Sequence, residues 1–146
     1  MGLKRVLRYF KLALFVFILL ESTTSFSKEK RWLLSDSEEG TFLINGDLSS
    51  PAKRLSGQIK VIQVKKLNSQ IDLVIYQAGS AGTFHPIIIN YAAIYNKEKR
   101  KVLGHFPYSI ISEDKDYNPI QPKWKFSEGL ISIEDPSFDI KQDIRY

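Results

Sequence analysis

Histidine is the side chain best suited to acid–base chemistry near neutral pH, and this chain holds two, His85 and His105. A nucleophilic triad would need one of them between an activated hydroxyl, such as Ser80, and an orienting carboxylate. No serine stands in a G-x-S-x-G elbow, which is the context that strains and exposes a nucleophile. Zinc would need more donors than two histidines 20 positions apart, with no cysteine and no H-x-x-x-H pair. Asp114-Lys115-Asp116-Tyr117-Asn118 imitates the first half of a calcium loop, but Pro119 stands where the loop needs glycine and Lys125 where it needs a bidentate glutamate. The carboxylate pairs Glu38/Glu39 and Glu134/Asp135 lie beside turn residues, with nothing adjacent to raise one pKa selectively. These residues predict a protein that is not an enzyme and uses neither a metal nor a cofactor.

Recognition fits the residues better than catalysis. Ala78–His85 reads AGSAGTFH. Gly79 and Gly82 allow close backbone approach, while Ser80, Thr83 and His85 supply hydrogen-bonding groups. Phe84 is an aromatic anchor of the kind that dominates binding energy. These six residues are the candidate partner-binding site. Lys97–Lys101 (KEKRK) forms a charged hairpin tip that keeps a β-domain soluble and blunts edge pairing, or docks to an acidic partner or anionic surface.

The elements that must hold this loop are strands. Ile71–Gln77 carries Ile71, Leu73 and Ile75 on one face and Val74 and Tyr76 on the other, which suits a strand covered on both sides. A second apolar run, opened by Pro86, continues to Tyr95. Around this pair the sequence predicts a hairpin of Trp32–Leu34 with Thr41–Ile44 across Ser37–Gly40, a turn at Asn45-Gly46-Asp47, and a loop over Leu48–Leu55. Ile59–Leu67 follows as a strand. Lys101–Ile111 is predicted to place Val102, Phe106, Tyr108 and Ile110 on one face, with Gly104 as a bulge and Pro107 marking an edge. Ser112–Pro122 is the longest polar loop; Trp124 and Phe126 share a strand face, Leu130–Ile133 returns, and Phe138–Tyr146 alternates as a terminal strand. No segment beyond the first residues has helical spacing. The prediction is an all-β antiparallel meander of about eight or nine short strands, forming a sandwich or a small barrel.

The N-terminus carries a different signal. Lys4, Arg5, Arg8 and Lys11 precede the apolar run Leu12–Leu20, and Ser25-Phe26-Ser27 offers small residues to a signal peptidase. This is the pattern of a cleavable secretory leader, residues 1–27, with an apolar run well short of the ~20 residues that span a bilayer. A single all-β domain, residues 28–146, remains. The whole chain has a net charge of +5, but four of its 21 basic and one of its 16 acidic residues lie in the leader, so the remainder is +2. Such a near-neutral domain lacks the continuous basic face of a nucleic-acid binder. Without cysteine there is no site for a lipoprotein acyl anchor and no disulfide. The expected place is a bacterial periplasm, with no stable membrane anchor after processing.

Leader, single β-domain and the loop Ser80-Ala81-Gly82-Thr83-Phe84 together resemble, in plan, the periplasmic inhibitors of lysozyme, in which a Ser/Gly-rich loop ending near a tyrosine plugs the muramidase cleft; here Phe84 stands in the tyrosine position. The plan is also similar to periplasmic immunity proteins that protect a bacteriocin producer. The resemblance implies a protein partner, a muramidase-like toxin or a lysozyme, neutralised by steric occlusion, with His85, Tyr76 or Tyr91 supporting the loop. Two other classes fit the same sequence. A lipocalin-like barrel lined by Tyr91, Phe106, Trp124 and Phe126 would carry a small apolar ligand, and a wall-associated module would pair through Phe138–Tyr146.

Overall fold

The computed structural model describes residues 31–146; the leader assigned to residues 1–27 lies outside the described residues. Ten antiparallel strands form three sheets in chain order. β1 (Leu33–Ser37), β2 (Gly40–Asn45) and β3 (Leu48–Pro51) make the first sheet. β4 (Lys60–Lys66), β5 (Ile71–Ala81), β6 (Ile87–Asn96) and β7 (Lys101–Ser112) make the second, and β8 (Lys123–Ser127), β9 (Leu130–Asp135) and β10 (Ile140–Arg145) the third.

The four-stranded sheet is the middle layer. On one of its faces Val74, Tyr76, Ile89, Tyr91 and Ala93 pack against Trp32 and Leu43 of the first sheet. On the other, Ile71, Leu73, Ile75, Ala92 and Ile94 pack against Ile131 and Ile133 of the third. β5 and β6 are therefore apolar on both sides for the reason their sequences predict: each faces two cores. Each fully buried aliphatic side chain contributes about 1.5–3 kcal/mol, and without disulfides these two cores are what holds the layers together.

The architecture narrows and corrects the sequence expectations. It is a layered sandwich, and among the described residues no sheet closes into a barrel. The aromatics proposed to line a barrel pack in two separate cores instead: Phe106 meets Trp124 edge-on at 6.5 Å and Trp124 meets Phe126 at 5.9 Å, while Tyr91 stacks on Tyr76 at 6.2 Å on the other face of the middle sheet. The tenth strand, β3, comes from Leu48–Leu55, which the sequence predicts as loop; Leu48 packs on the first core and Ser50 points inward to His105. β7 does not keep Val102, Phe106, Tyr108 and Ile110 on one face. Pairing with β6 skips Leu103 and Tyr108 as bulge residues, so Val102 and Ile110 join the first core while Phe106 and Tyr108 join the second. The bulge falls on Leu103 rather than Gly104. Pro107 does lie on an edge strand, as its missing N–H requires.

Candidate functional site

Ala78–Pro86, expected as one exposed loop, divides in two. Ala78–Ala81 continues β5, and Gly79 and Ser80 pair with Ile89 and Ile88. The other edge of this part of β5 is taken by residues 55–57: Leu55 N–H donates to Ala78 O at 2.7 Å and Ser80 N–H to Ser56 O at 2.7 Å. Ser56 Oγ also donates to Ser80 O at 2.8 Å. Gly79 is buried, with φ at +123°, and a Cβ there would lie 2.2 Å from Ser56 O. Its absent side chain serves this internal contact. Gly79 and Ser80 thus sit in a paired strand, and the exposed connection is the five residues 82–86.

That connection is tight and braced. Gly82 has φ at +90°, and a Cβ would meet His85 O at 2.7 Å, so the turn needs glycine. Thr83, Phe84 and His85 are exposed, and Phe84 reaches 91% exposure. Support comes from the 113–118 segment and not from Tyr76 or Tyr91, which lie paired in mid-sheet. His85 Nδ1–H donates to Asp114 Oδ2 at 2.7 Å, and the ring stacks on Tyr117 at 4.9 Å with 14° between planes. Asp114 Oδ1 accepts the Asp116 N–H at 2.9 Å. That bond first, and His85 second, hold the Asp114 carboxyl below its usual pKa. The calcium-loop imitation is thus a turn capped by its own carboxylate. Among the described residues no group of three or more potential ligands is placed to hold a metal ion.

The segment that braces His85 is charged, carrying Glu113, Asp114, Lys115 and Asp116, with Tyr117 stacked on the imidazole. Ile111, Tyr117 and Ile120 are 50%, 41% and 62% exposed, and all three lie at the same end of the middle sheet. Ile111 follows the position at which Gln121 is bound: the Gln121 amide accepts from Ile110 N–H at 3.0 Å and donates to Ile110 O at 2.6 Å. This side chain satisfies the free edge of β7 as a neighbouring strand would, and it fixes Ile120 beside it. Asp114, Tyr117, Ile111 and Ile120 are absent from the sequence-derived site. They are 25 or more positions from Phe84 in the chain, and the β6–β7 pairing, which sets Ile88 against Ile111, brings Asp114 and Tyr117 to His85.

His105 occupies a different place, between the first and middle sheets. Its Nδ1 is 2.9 Å from Tyr76 Oη and its Nε2 2.9 Å from Ser50 Oγ, and Lys53 N–H donates to Tyr76 Oη at 3.0 Å. Two tautomers serve this chain: Tyr76 O–H donates to Nδ1 with Nε2–H donating to Ser50, or Ser50 O–H donates to Nε2 with Nδ1–H donating to Tyr76. Burial, with the nearby Lys53 charge adding to it, lowers the His105 pKa to about 4. Burial likewise pushes the Tyr76 phenol well above its usual value.

Each histidine therefore holds half of a triad. His85 has a carboxylate behind it but no serine in front, because Ser80 Oγ lies beside Gly57. His105 has a serine in front, Ser50, but behind it the Tyr76 phenol rather than a carboxylate. The exposed group of Phe84, His85, Tyr117, Ile111 and Ile120 is suited to contact, and the His105 chain to joining two sheets. No protein-family model, curated protein or solved structure matches this chain.

Proposed function

We propose that this chain is an exported, non-enzymatic binding protein that neutralises a cell-wall-acting protein, as an immunity factor or hydrolase inhibitor, by occluding its cleft. Phe84 is the inserted side chain. The observation that carries this is its 91% exposure on a connection held by Gly82, the His85–Asp114 bond and the His85–Tyr117 stack. An aromatic side chain carried on a short braced turn costs little backbone entropy when a partner buries it. Ile111, Tyr117 and Ile120 are further exposed apolar side chains that a partner could cover. The leader pattern and the likeness in plan to lysozyme inhibitors support a target that acts on the cell wall.

Lysis of wall material by a panel of muramidases, with and without the purified protein, tests this. Inhibition by the parent protein is expected, falling at least about tenfold for Phe84→Ala with an unchanged thermal midpoint. Inhibition that survives Phe84→Ala, or a parent protein that neither binds nor inhibits any muramidase, would sink the proposal.

A further inference from the structure

The two long edges of the middle sheet are finished differently. On β7, the Gln121 amide occupies both backbone groups of Ile110, and Trp124 Nε1–H donates to Pro107 O at 2.9 Å. On the opposite side, residues 55–57 cover β5 where it runs past β4, through Leu55 on Ala78 and Ser80 on Ser56. Next to that cover lies β4 itself, Lys60–Lys66, an outer strand paired with β5 alone. Every second residue of such a strand turns its N–H and C=O away from the sheet. Among the described residues no other backbone segment bonds to these groups of β4.

The side chains along this edge are apolar and of one charge. Ile62 and Val64 are 47% and 41% exposed, although β-branched side chains suit a covered sheet surface. Lys60, Lys65 and Lys66 are exposed and make no ion pair among the described residues. Asp72 stands across the ladder from Lys66, but its carboxylate is held by Lys97 at 3.0 Å. From Leu48 to Ile71 the sequence carries five cations and no carboxylate, so nothing adjacent in the chain neutralises the edge.

These features select among occupants. A second copy pairing through β4 would set six lysines on two neighbouring strands, with like charges opposed; lysines on an edge strand act against that pairing. A nucleic acid or an anionic lipid would meet the lysines, but it has no strand N–H and C=O groups to extend the ladder. An extended acidic polypeptide supplies all that the edge lacks: backbone groups for the ladder, carboxylates for the lysines, and alternate apolar side chains for Ile62 and Val64.

We infer that β4 is a second interaction surface, on which an acidic, extended segment of a partner protein adds as a fifth strand of the middle sheet. Past the bulge at Ile62 the regular part of the edge is Gln63–Lys66. That run is about 13 Å long at about 3.3 Å per residue, so the added segment is short. The surface uses none of the residues around Phe84 and stands whether or not the occlusion reading does.

Titration of the isotope-labelled protein with the end-blocked peptide EVETEVE, followed through backbone amide shifts, tests this. The comparison probes are the neutral peptide QVQTQVQ, the two alternately N-methylated forms of EVETEVE, and a single-stranded oligonucleotide. Saturable shifts centred on Gln63–Lys66 are expected with EVETEVE, weakening as salt rises, and at least one N-methylated form should fail to bind. Affinity should fall at least about threefold in Lys60→Gln/Lys65→Gln/Lys66→Gln, as the loss of three opposite-charge cross-strand pairs requires, and stay unchanged in Phe84→Ala. The three lysines are exposed, so the amide spectrum of the triple variant away from β4 should match the parent's and show that it is folded. The inference is overturned by any of five results: no saturation with EVETEVE, shifts centred elsewhere, equal affinity for QVQTQVQ or for both N-methylated forms, tighter binding of the oligonucleotide, or self-association of the parent protein through β4.

Discussion

At the scale of single residues, His105 shows how a chemically capable side chain becomes structural. Both ring nitrogens are occupied, by Tyr76 and Ser50, so the ring ties β3 of the first sheet to β5 and β7 of the middle one. Its folded pKa of about 4 lies below the unfolded value of 6.5. As pH falls below 6.5 the unfolded chain takes up a proton that the folded one refuses, so stability is lost from there down to about pH 4, and no further below it. Between pH 7 and pH 5 this amounts to about 2 kcal/mol. Urea unfolding at the two pH values should show that loss in the parent protein and a much smaller one in His105→Gln; equal pH dependence in both would refute the assignment. His105 is visible in the sequence as one of two histidines, but its partners are 55 and 29 positions away. Gly79 is the converse case: its small size is plain in the sequence and suggests an exposed loop, whereas the structure uses it for close approach to Ser56.

Among the elements, the middle sheet owes its shape to bulges. Ile62, Ala78, Leu103 and Tyr108 each stand as an extra residue against a continuous partner strand. A bulge reassigns every side chain beyond it to the other face relative to strict alternation, which is why counting by twos along β7 places Phe106 and Tyr108 in the wrong core. Deleting a bulge residue should therefore be mild where it packs little. Removal of Ile62, which is 47% exposed on edge strand β4, is expected to change stability by no more than about 1 kcal/mol. Removing Ala93, paired on both sides in β6, should abolish cooperative folding by shifting register. Thermal unfolding of the two deletions checks this, and the reverse order would show that Ile62 is a ladder residue.

Across the whole molecule, two separate cores lie on opposite faces of one sheet. Leu43 belongs to one core and Ile133 to the other, with layers spaced about 10 Å apart. Leu43→Ala should cost about 2–5 kcal/mol and Ile133→Val about 0.5–1.5 kcal/mol. Their sum should hold in the double variant within about 0.5 kcal/mol, as for sites without shared partners. Denaturant unfolding of the three variants measures it, and a larger departure would mean that the middle sheet transmits strain between the cores.

The sequence by itself determined that the fold is all-β and that Ile71–Gln77 and the run to Tyr95 form its centre, because alternation and doubly apolar runs are local properties of a chain. It also placed hairpin turns at Ser37–Gly40, Asn45–Asp47 and within Lys97–Lys101, where residue type favours a turn. Only the tertiary structure decided that the layers number three, that Leu48–Pro51 is a strand, and that Asp114 and Tyr117 brace His85 beside Phe84. Each of these depends on contacts between residues far apart in the chain: a polar strand is stabilised by the neighbours it pairs with, and a bulge shows no mark in the strand that carries it until its partner is present.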